Sequence, residues 1–404
     1  GFKGRKAMKK VFNISCICIA IIILISSLMT GCSSKSNKIN TEQSSASYVE
    51  NEDFQYFIDS SSAIAKADNG YYFLNSLKLY FFDTATKEAY IVCNKPNCDH
   101  TSSKCTAFFP AFNYYPFQLS YFNNKLYVLG WEEEGSNMRH NYIYEVSLDN
   151  FKRKKSTYLF DGTDTSSVSF IIHRGYIYYL KGVGANIKET TACLFRKKIG
   201  SKSKKDKAEV IYKFSGIGAE LSNIKASGNN LILMNSSFSD TDGNGYKTSY
   251  TLIDIHSLKA RQLKDDKAYS LFVDGDCAYY GNRSGEVYCI NLTTNKETSF
   301  CNIGVPAYIS ADSNYVYFDN LQSIYIDKID EKDRKIFVYD KSGKYVTEIT
   351  PKNPKDDCYF GGDDMMIFKE NIDGETAESD GAKGYYVLDK SQLKSPDKQF
   401  IDME

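Results

Sequence analysis

The run Cys93-Asn94-Lys95-Pro96-Asn97-Cys98-Asp99-His100, followed by Cys105, is the densest group of metal-ligating side chains in the sequence. Three thiolates and an imidazole are a donor set for a closed tetrahedral zinc site. The Cys-x4-Cys and Cys-x6-Cys spacings depart from standard zinc knuckles. An exported chain could instead join two of these cysteines as a disulfide, or keep all three thiols reduced. In every case the group is expected to fix a long connecting loop and not to catalyse. Asp240-Thr241-Asp242-Gly243-Asn244-Gly245 offers oxygens at alternate positions (Asp240, Asp242, Asn244), as in the first half of a calcium loop. Thr251 stands where the bidentate acid is expected, and a plain polar hairpin tip is the simpler reading. Trp131 and Glu132 open a Trp-Glu-Glu-Glu run, where an aromatic ring beside acids could grip a sugar or a peptide. The alternative is a solvated charge run with one exposed ring. Cys277 and Cys289 flank a hairpin turn and could bridge, although buried thiols packing as small hydrophobes are the favoured reading. His140, His173 and His256 have no spacing that suggests catalysis.

The N-terminal part reads as an export signal. Lys9 and Lys10 precede a nearly unbroken apolar run from Ile14 to Leu28, too short to span a bilayer but suited to a signal core. Met8 is read as the start, with residues 1–7 upstream of it. Leu28-Met29-Thr30-Gly31-Cys32 then resembles the lipobox of bacterial lipoproteins, with Met29 in place of the usual Leu. This resemblance implies a signal peptide over 1–31, cleavage before Cys32, and diacylglycerol on the Cys32 thiol. Residues 32–50 are polar and read as a flexible tether. The chain is therefore expected at the membrane, lipid-anchored on its extracytoplasmic face.

Residues 54–404 carry a repeat. A tight polar turn followed by an aromatic strand occurs seven times, beginning with Asn69-Gly70-Tyr71-Tyr72-Phe73 and Asn124-Lys125-Leu126-Tyr127-Val128. Later copies include Asn314-Tyr315-Val316-Tyr317-Phe318 and Asp364-Met365-Met366-Ile367-Phe368. Third and fourth strands follow in most units, and no long period of 3.6 appears after the signal. The predicted class is all-β: a β-propeller of seven four-stranded blades. Phe54-Gln55-Tyr56-Phe57-Ile58 is a leftover strand, expected to pair with the last blade and close the ring. The turns between first and second strands, and between third and fourth, read as short. The second-to-third loops and the crossings read as long, for example Gly130 to Asn141 and Asn235 to Ser249. Long connections on one face are where binding is expected.

The Gly-Tyr-Tyr strands resemble a group of clostridial-type lipoprotein propellers, and more distantly the propellers of the low-density-lipoprotein receptor class, whose Tyr-Trp-Thr-Asp signature is absent. The Cys-x-Lys-Pro-x-Cys-x-His element is similar to one in the same lipoproteins.

Charge and composition narrow the function. Five of the 50 basic residues and none of the 50 acidic ones precede Cys32, so the remainder is net acidic by five. That gives no electrostatic reason to bind nucleic acid, and the lysine run from Lys197 to Lys207 reads as a solvated hairpin tip. The leading expectation is a binding scaffold for a peptide, a glycan or another envelope protein. A glycan hydrolase or lyase and a structural accessory of envelope assembly are the alternatives. No acid pair with a nucleophile is marked, and a single Trp argues against a quinone-dependent propeller enzyme.

Overall fold

Short polar turns set the strand spacing throughout. Asp68-Asn69, Arg174-Gly175 and Gly228-Asn229 each turn the chain between two strands. Left-handed backbone at Arg174 (φ 48°) and Gly175 (φ 82°) gives the twist that a two-residue hairpin needs. The computed structural model describes residues 63–403, apart from 94, 112–113, 136–137, 163–167, 182–188, 266–267, 327–328 and 372–383. The expected signal peptide, Cys32, the expected tether and the segment 54–58 lie outside the described residues.

The fold is all-β, with antiparallel strands in chain order within each sheet. The first sheet is β1 (Ile64–Ala67), β2 (Gly70–Asn75), β3 (Lys78–Asp83) and β4 (Glu88–Ile91). The second is β5 (Tyr114–Phe122), β6 (Lys125–Glu134), β7 (Met138–Ser147) and β8 (Arg153–Asp161). The third has seven strands: β9 (Ser169–His173), β10 (Tyr176–Lys181), β11 (Glu189–Lys198), β12 (Glu209–Ser227), β13 (Asn230–Phe238), β14 (Lys247–Asp254) and β15 (Ala260–Lys264). The fourth is β16 (Ser270–Asp274), β17 (Cys277–Gly281), β18 (Glu286–Asn291) and β19 (Glu297–Asn302). The fifth is β20 (Tyr308–Ala311), β21 (Tyr315–Asp319), β22 (Ile336–Asp340) and β23 (Tyr345–Ile349), with a short helix α1 (Leu321–Ile326) between β21 and β22. The last is β24 (Asp357–Tyr359), β25 (Met365–Lys369), β26 (Tyr385–Asp389) and β27 (Phe400–Asp402). Among the described residues no helix is long and apolar enough to cross a membrane.

The seven-stranded sheet differs from the expected four-stranded units. Its cause is β12, whose 19 residues contain no proline and continue as one strand across the bulges at 218–219 and 223–224. The first half of β12 pairs with β11 and the second half with β13, and Ile217 is opposite Glu189 on one side and Phe238 on the other. Two four-stranded units therefore share one strand. The register shifts on either side of Ser222 allow the strand to bend between them.

Each buried apolar cluster lies between neighbouring sheets or the two units of the long one. Leu79 and Phe81 of the first sheet meet Leu126 and Val128 of the second. Tyr127 and Leu129 meet Ile172 and Tyr179, and Ile232 and Leu252 meet Leu271 and Tyr280. Phe272 and Tyr279 meet Ile309 and Phe318, and Tyr317 and Val338 meet Met366 and Phe368. The series then returns to its start: Ile64, Tyr71 and Phe73 pack with Met365, Ile367, Tyr385 and Val387. Polar contacts follow the same order on the side of the tight turns. His173 Nε2 donates to Gly228 O at 2.7 Å, and Gly275 N to Ser227 Oγ at 3.1 Å. Lys341 pairs with Asp274 at 2.5 Å and Lys390 with Asp312 at 2.6 Å. Between the last sheet and the first, Tyr71 donates to Asp364 at 2.5 Å and Lys87 pairs with Asp389 at 2.9 Å.

The connections correct one expectation. Gly130 to Asn141 is not a loop, since β6 and β7 run as a ladder from Lys125↔Ser147 to Glu134↔Met138, and the ends of Asn235 to Ser249 are likewise paired, down to Ser237↔Lys247. Crossings between sheets are also short, with seven residues between Asp161 and Ser169 and five between Asn302 and Tyr308. The exception is the 22 residues between Ile91 and Tyr114, which contain the cysteine run.

Candidate functional site

Cys93, Cys98, His100 and Cys105 converge: one ligand atom from each lies within 4.8 Å of all the others. Among the described residues this is the one such group of three or more His, Cys, Asp or Glu side chains. Cys93 Sγ and Cys105 Sγ are 3.6 Å apart, and His100 Nδ1 is 3.4 Å from Cys105 Sγ. None of the three cysteines is in a disulfide. Left-handed backbone at Asn97 (φ 55°) and His100 (φ 57°) folds the run back on itself. Cys105 is buried at 1 % exposure, whereas the other three are half-buried. Burial pushes the Cys105 thiol up to about 11. The end of the crossing is pinned to both sheets. Leu79 N donates to Ala107 O at 2.8 Å and Phe109 N to Leu77 O at 2.7 Å. Arg153 donates to Phe108 O at 2.5 Å, and its guanidinium lies over the Phe109 and Tyr114 rings.

The other sequence candidates are placed differently. Trp131 is not an exposed loop ring: it lies in β6 opposite Asn141, 5 % exposed, with the Arg139 guanidinium 4.8 Å from its centroid. The strand period turns it inward, while Glu132 next to it faces out and pairs with Lys155. Asp240 caps its own hairpin. Its Oδ1 accepts the backbone N–H groups of Asp242 and Asn244, both at 3.0 Å, and the Asn244 side chain reaches the same carboxylate. These hydrogen bonds hold the Asp240 carboxyl below its ordinary range. Cys277 and Cys289 form a disulfide with Cα atoms 6.1 Å apart. The register brings them diagonally together, since Cys277 is opposite Asn291 and Cys289 opposite Tyr279. Among the lysines of the 197–207 run, Lys197 is buried with its amine 5.1 Å from the Tyr158 centroid, so that run is more than a solvated tip.

Two sites were not visible in the sequence. The first surrounds His140. Nε2 meets Glu134 at 2.5 Å, Nδ1 meets Asp161 at 2.5 Å, and Lys204 Nζ lies 3.8 Å from Asp161. Hydrogen bonds to Asp161 and then Glu134 raise the His140 pKa. Burial raises Asp161, but its bonds to His140 and Tyr158 outweigh this and lower it, and the bond to His140 lowers Glu134. The contribution of His140 to stability is full below its unfolded pKa of about 6.5 and is lost as pH rises through the higher folded value. At the acid end it is lost as pH falls through the lowered values of Asp161 and Glu134. An NMR titration of the His140 ring should give a midpoint above 6.5; a midpoint at or below that value would show that the carboxylates do not hold the imidazolium. The β7–β8 register, which pairs His140 with Asp161, assembles the site and is not set by any local sequence motif.

The second is a pocket of about 190 Å³. Its walls include Asn223 of β12, Tyr308 at the start of β20, Asp319 at the end of β21, Gln322 of α1, and Asp357 and Tyr359 of β24. Asp319 is fully buried and its Oδ1 lies 2.8 Å from Arg334 Nη2 and 2.8 Å from Leu321 N. Among the described residues its Oδ2 has no hydrogen-bond partner. Burial raises the Asp319 pKa against the pull of Arg334. The arrangement favours a ligand that donates hydrogen bonds.

No family model and no curated protein matches the chain. Among solved structures it is similar to the computationally designed protein Ika8, at 10 % identity and TM-score 0.47, over 87 % of this chain and 91 % of that one. An oligogalacturonate lyase in complex with manganese is similar at 12 % identity and TM-score 0.45, over 81 % and 87 % of the two chains. BamB from Moraxella catarrhalis is similar at 10 % identity and TM-score 0.38, over 77 % and 82 %. At these scores the likeness carries no functional argument.

Proposed function

We propose that this chain is an extracytoplasmic lipoprotein, anchored through Cys32, whose described residues form a seven-bladed β-propeller that serves as a binding scaffold. Counting the shared strand β12 in two units gives seven four-stranded blades. The cyclic order of the apolar clusters, including the contact of Phe73 with Tyr385, supports a closed ring. Closure there rests on packing and side-chain bonds. The last blade has its own outer strand, β27, so residues 54–58 would add to a complete blade.

The observation that carries the binding reading is the pocket around Asp319. Tyr308 opens β20, Asp357 opens β24, and Asp319 ends β21, so all three stand where second-to-third connections and crossings begin or end. That is the side opposite the laced tight turns. First strands of three blades converge there, which is the centre of a propeller. The occupant would be a cationic or polyhydroxyl group of a peptide, a glycan or an envelope protein.

Pull-down from intact cells and a glycan array would identify it. Gln322→Ala and Asn223→Ala should weaken binding at least tenfold, while Lys296→Ala in a tight turn should not. In the same cells Cys32→Ala should accumulate as uncleaved precursor or be released. A footprint confined to the tight-turn side, or Cys32→Ala protein processed normally and retained, would refute the respective half of the reading.

A further inference from the structure

We propose that Cys93, Cys98, His100 and Cys105 bind one structural zinc ion, which folds the crossing 92–113 onto the first and second sheets. The inference is independent of the ligand pocket.

The separations carry it. Zinc binds thiolate sulfur at about 2.3 Å and imidazole nitrogen at about 2.0–2.1 Å. A tetrahedron with those arms has edges of about 3.8 Å between sulfurs and about 3.5 Å between sulfur and nitrogen. Cys93 and Cys105 are 3.6 Å apart, and His100 and Cys105 are 3.4 Å apart. A disulfide would require a sulfur separation of about 2.05 Å, and none of the three cysteines is bonded, whereas Cys277 and Cys289 are. Four protein ligands leave no open position, so the role is structural.

The crossing supplies the reason for a metal. It is three times the length of the seven-residue crossing after Asp161, and most of it has no ladder partner. A loop of this length in a compact fold is uncommon unless something ties it down. Coordination by His100 and Cys98 ties its first half. The Phe108 and Phe109 bonds to Arg153 and Leu77 tie its second half.

The test uses the full chain purified without added metal. Elemental analysis should find about one zinc per chain, and alkylation should label Cys93, Cys98 and Cys105 only after chelation. Cobalt exchanged into the wild-type protein should give the intense visible bands of a tetrahedral thiolate site. Cys98→Ser should lose the zinc, and the cobalt spectrum of the wild-type chain decides the matter even where that variant fails to fold. Two missing thiols and no metal would mean a disulfide and overturn the proposal. So would three thiols that alkylate freely without a chelator. Zinc retained in both Cys98→Ser and Cys105→Ser would mean an adventitious ion only, and would overturn it equally.

Discussion

Arg334→Met is expected to destabilise the protein by about 3–5 kcal/mol, because it strands a buried carboxylate. Arg334 and Asp319 are both fully buried, and their 2.8 Å contact is the charge compensation that the structure shows at Asp319. Wild-type Asp319 already has a raised pKa from burial. Without the guanidinium it rises further. A carboxyl whose folded pKa is raised contributes stability that is present below the unfolded value, about 3.9, and is lost as pH climbs through the folded one. The variant should therefore recover part of its deficit in acid, which a simple packing defect would not do. Replacing both partners, as Arg334→Met with Asp319→Leu, should regain most of the loss, since two apolar groups need no compensation. Urea denaturation at several pH values checks all three statements. A single variant within about 1 kcal/mol of wild type at neutral pH would show that water reaches Asp319.

Phe73→Ala should cost about 3–5 kcal/mol, the range for emptying a buried aromatic site. Phe73 is 1 % exposed, with its ring 5.2 Å from Tyr80 and 5.1 Å from Tyr385. The location makes the loss specific. Every other pair of neighbouring sheets is joined by the chain, so their contacts close short loops. Among the described residues the first and last sheets are held by contacts between residues about three hundred positions apart, such as Tyr71 with Asp364. Phe318→Ala, at a joined interface, should lower stability comparably but leave the ends together. Hydrogen exchange would separate the two: in Phe73→Ala, amides of β2 and β25 should exchange faster together. Unchanged protection in β25 would show that the first and last sheets are not each other's support.

The strands were legible because their signal is local. Tyr71-Tyr72-Phe73 and Tyr315-Val316-Tyr317-Phe318 are runs of aromatic and β-branched residues after a polar turn, and both are strands. The cysteine run was legible as a donor set for a similar reason, because its members lie within thirteen positions. What could not be read depends on register or on long-range pairing. Glu132-Glu133-Glu134 looks like a solvated loop until β7 is placed opposite, where Arg139 faces Glu133. Asp319 and Arg334 are separated by α1 and a second short turn, and no sequence period links them. Cys277 and Cys289 are joined by a diagonal that a one-residue slip would have removed.

The continuous strand β12 also bears on how the repeats came to fit one another. Elsewhere a crossing of five, seven or, after Ile91, 22 residues separates neighbouring units, so a blade there is bounded by chain that can lengthen without disturbing a ladder. Between β11 and β13 there is no such margin. One residue inserted near Ile217 would shift the register of one half of β12 against the other and turn its side chains from one face to the other. The third and fourth units therefore behave as one inherited module of eight strand positions made from seven strands. Length variation among descendants of this chain should accumulate at the other crossings and spare this one.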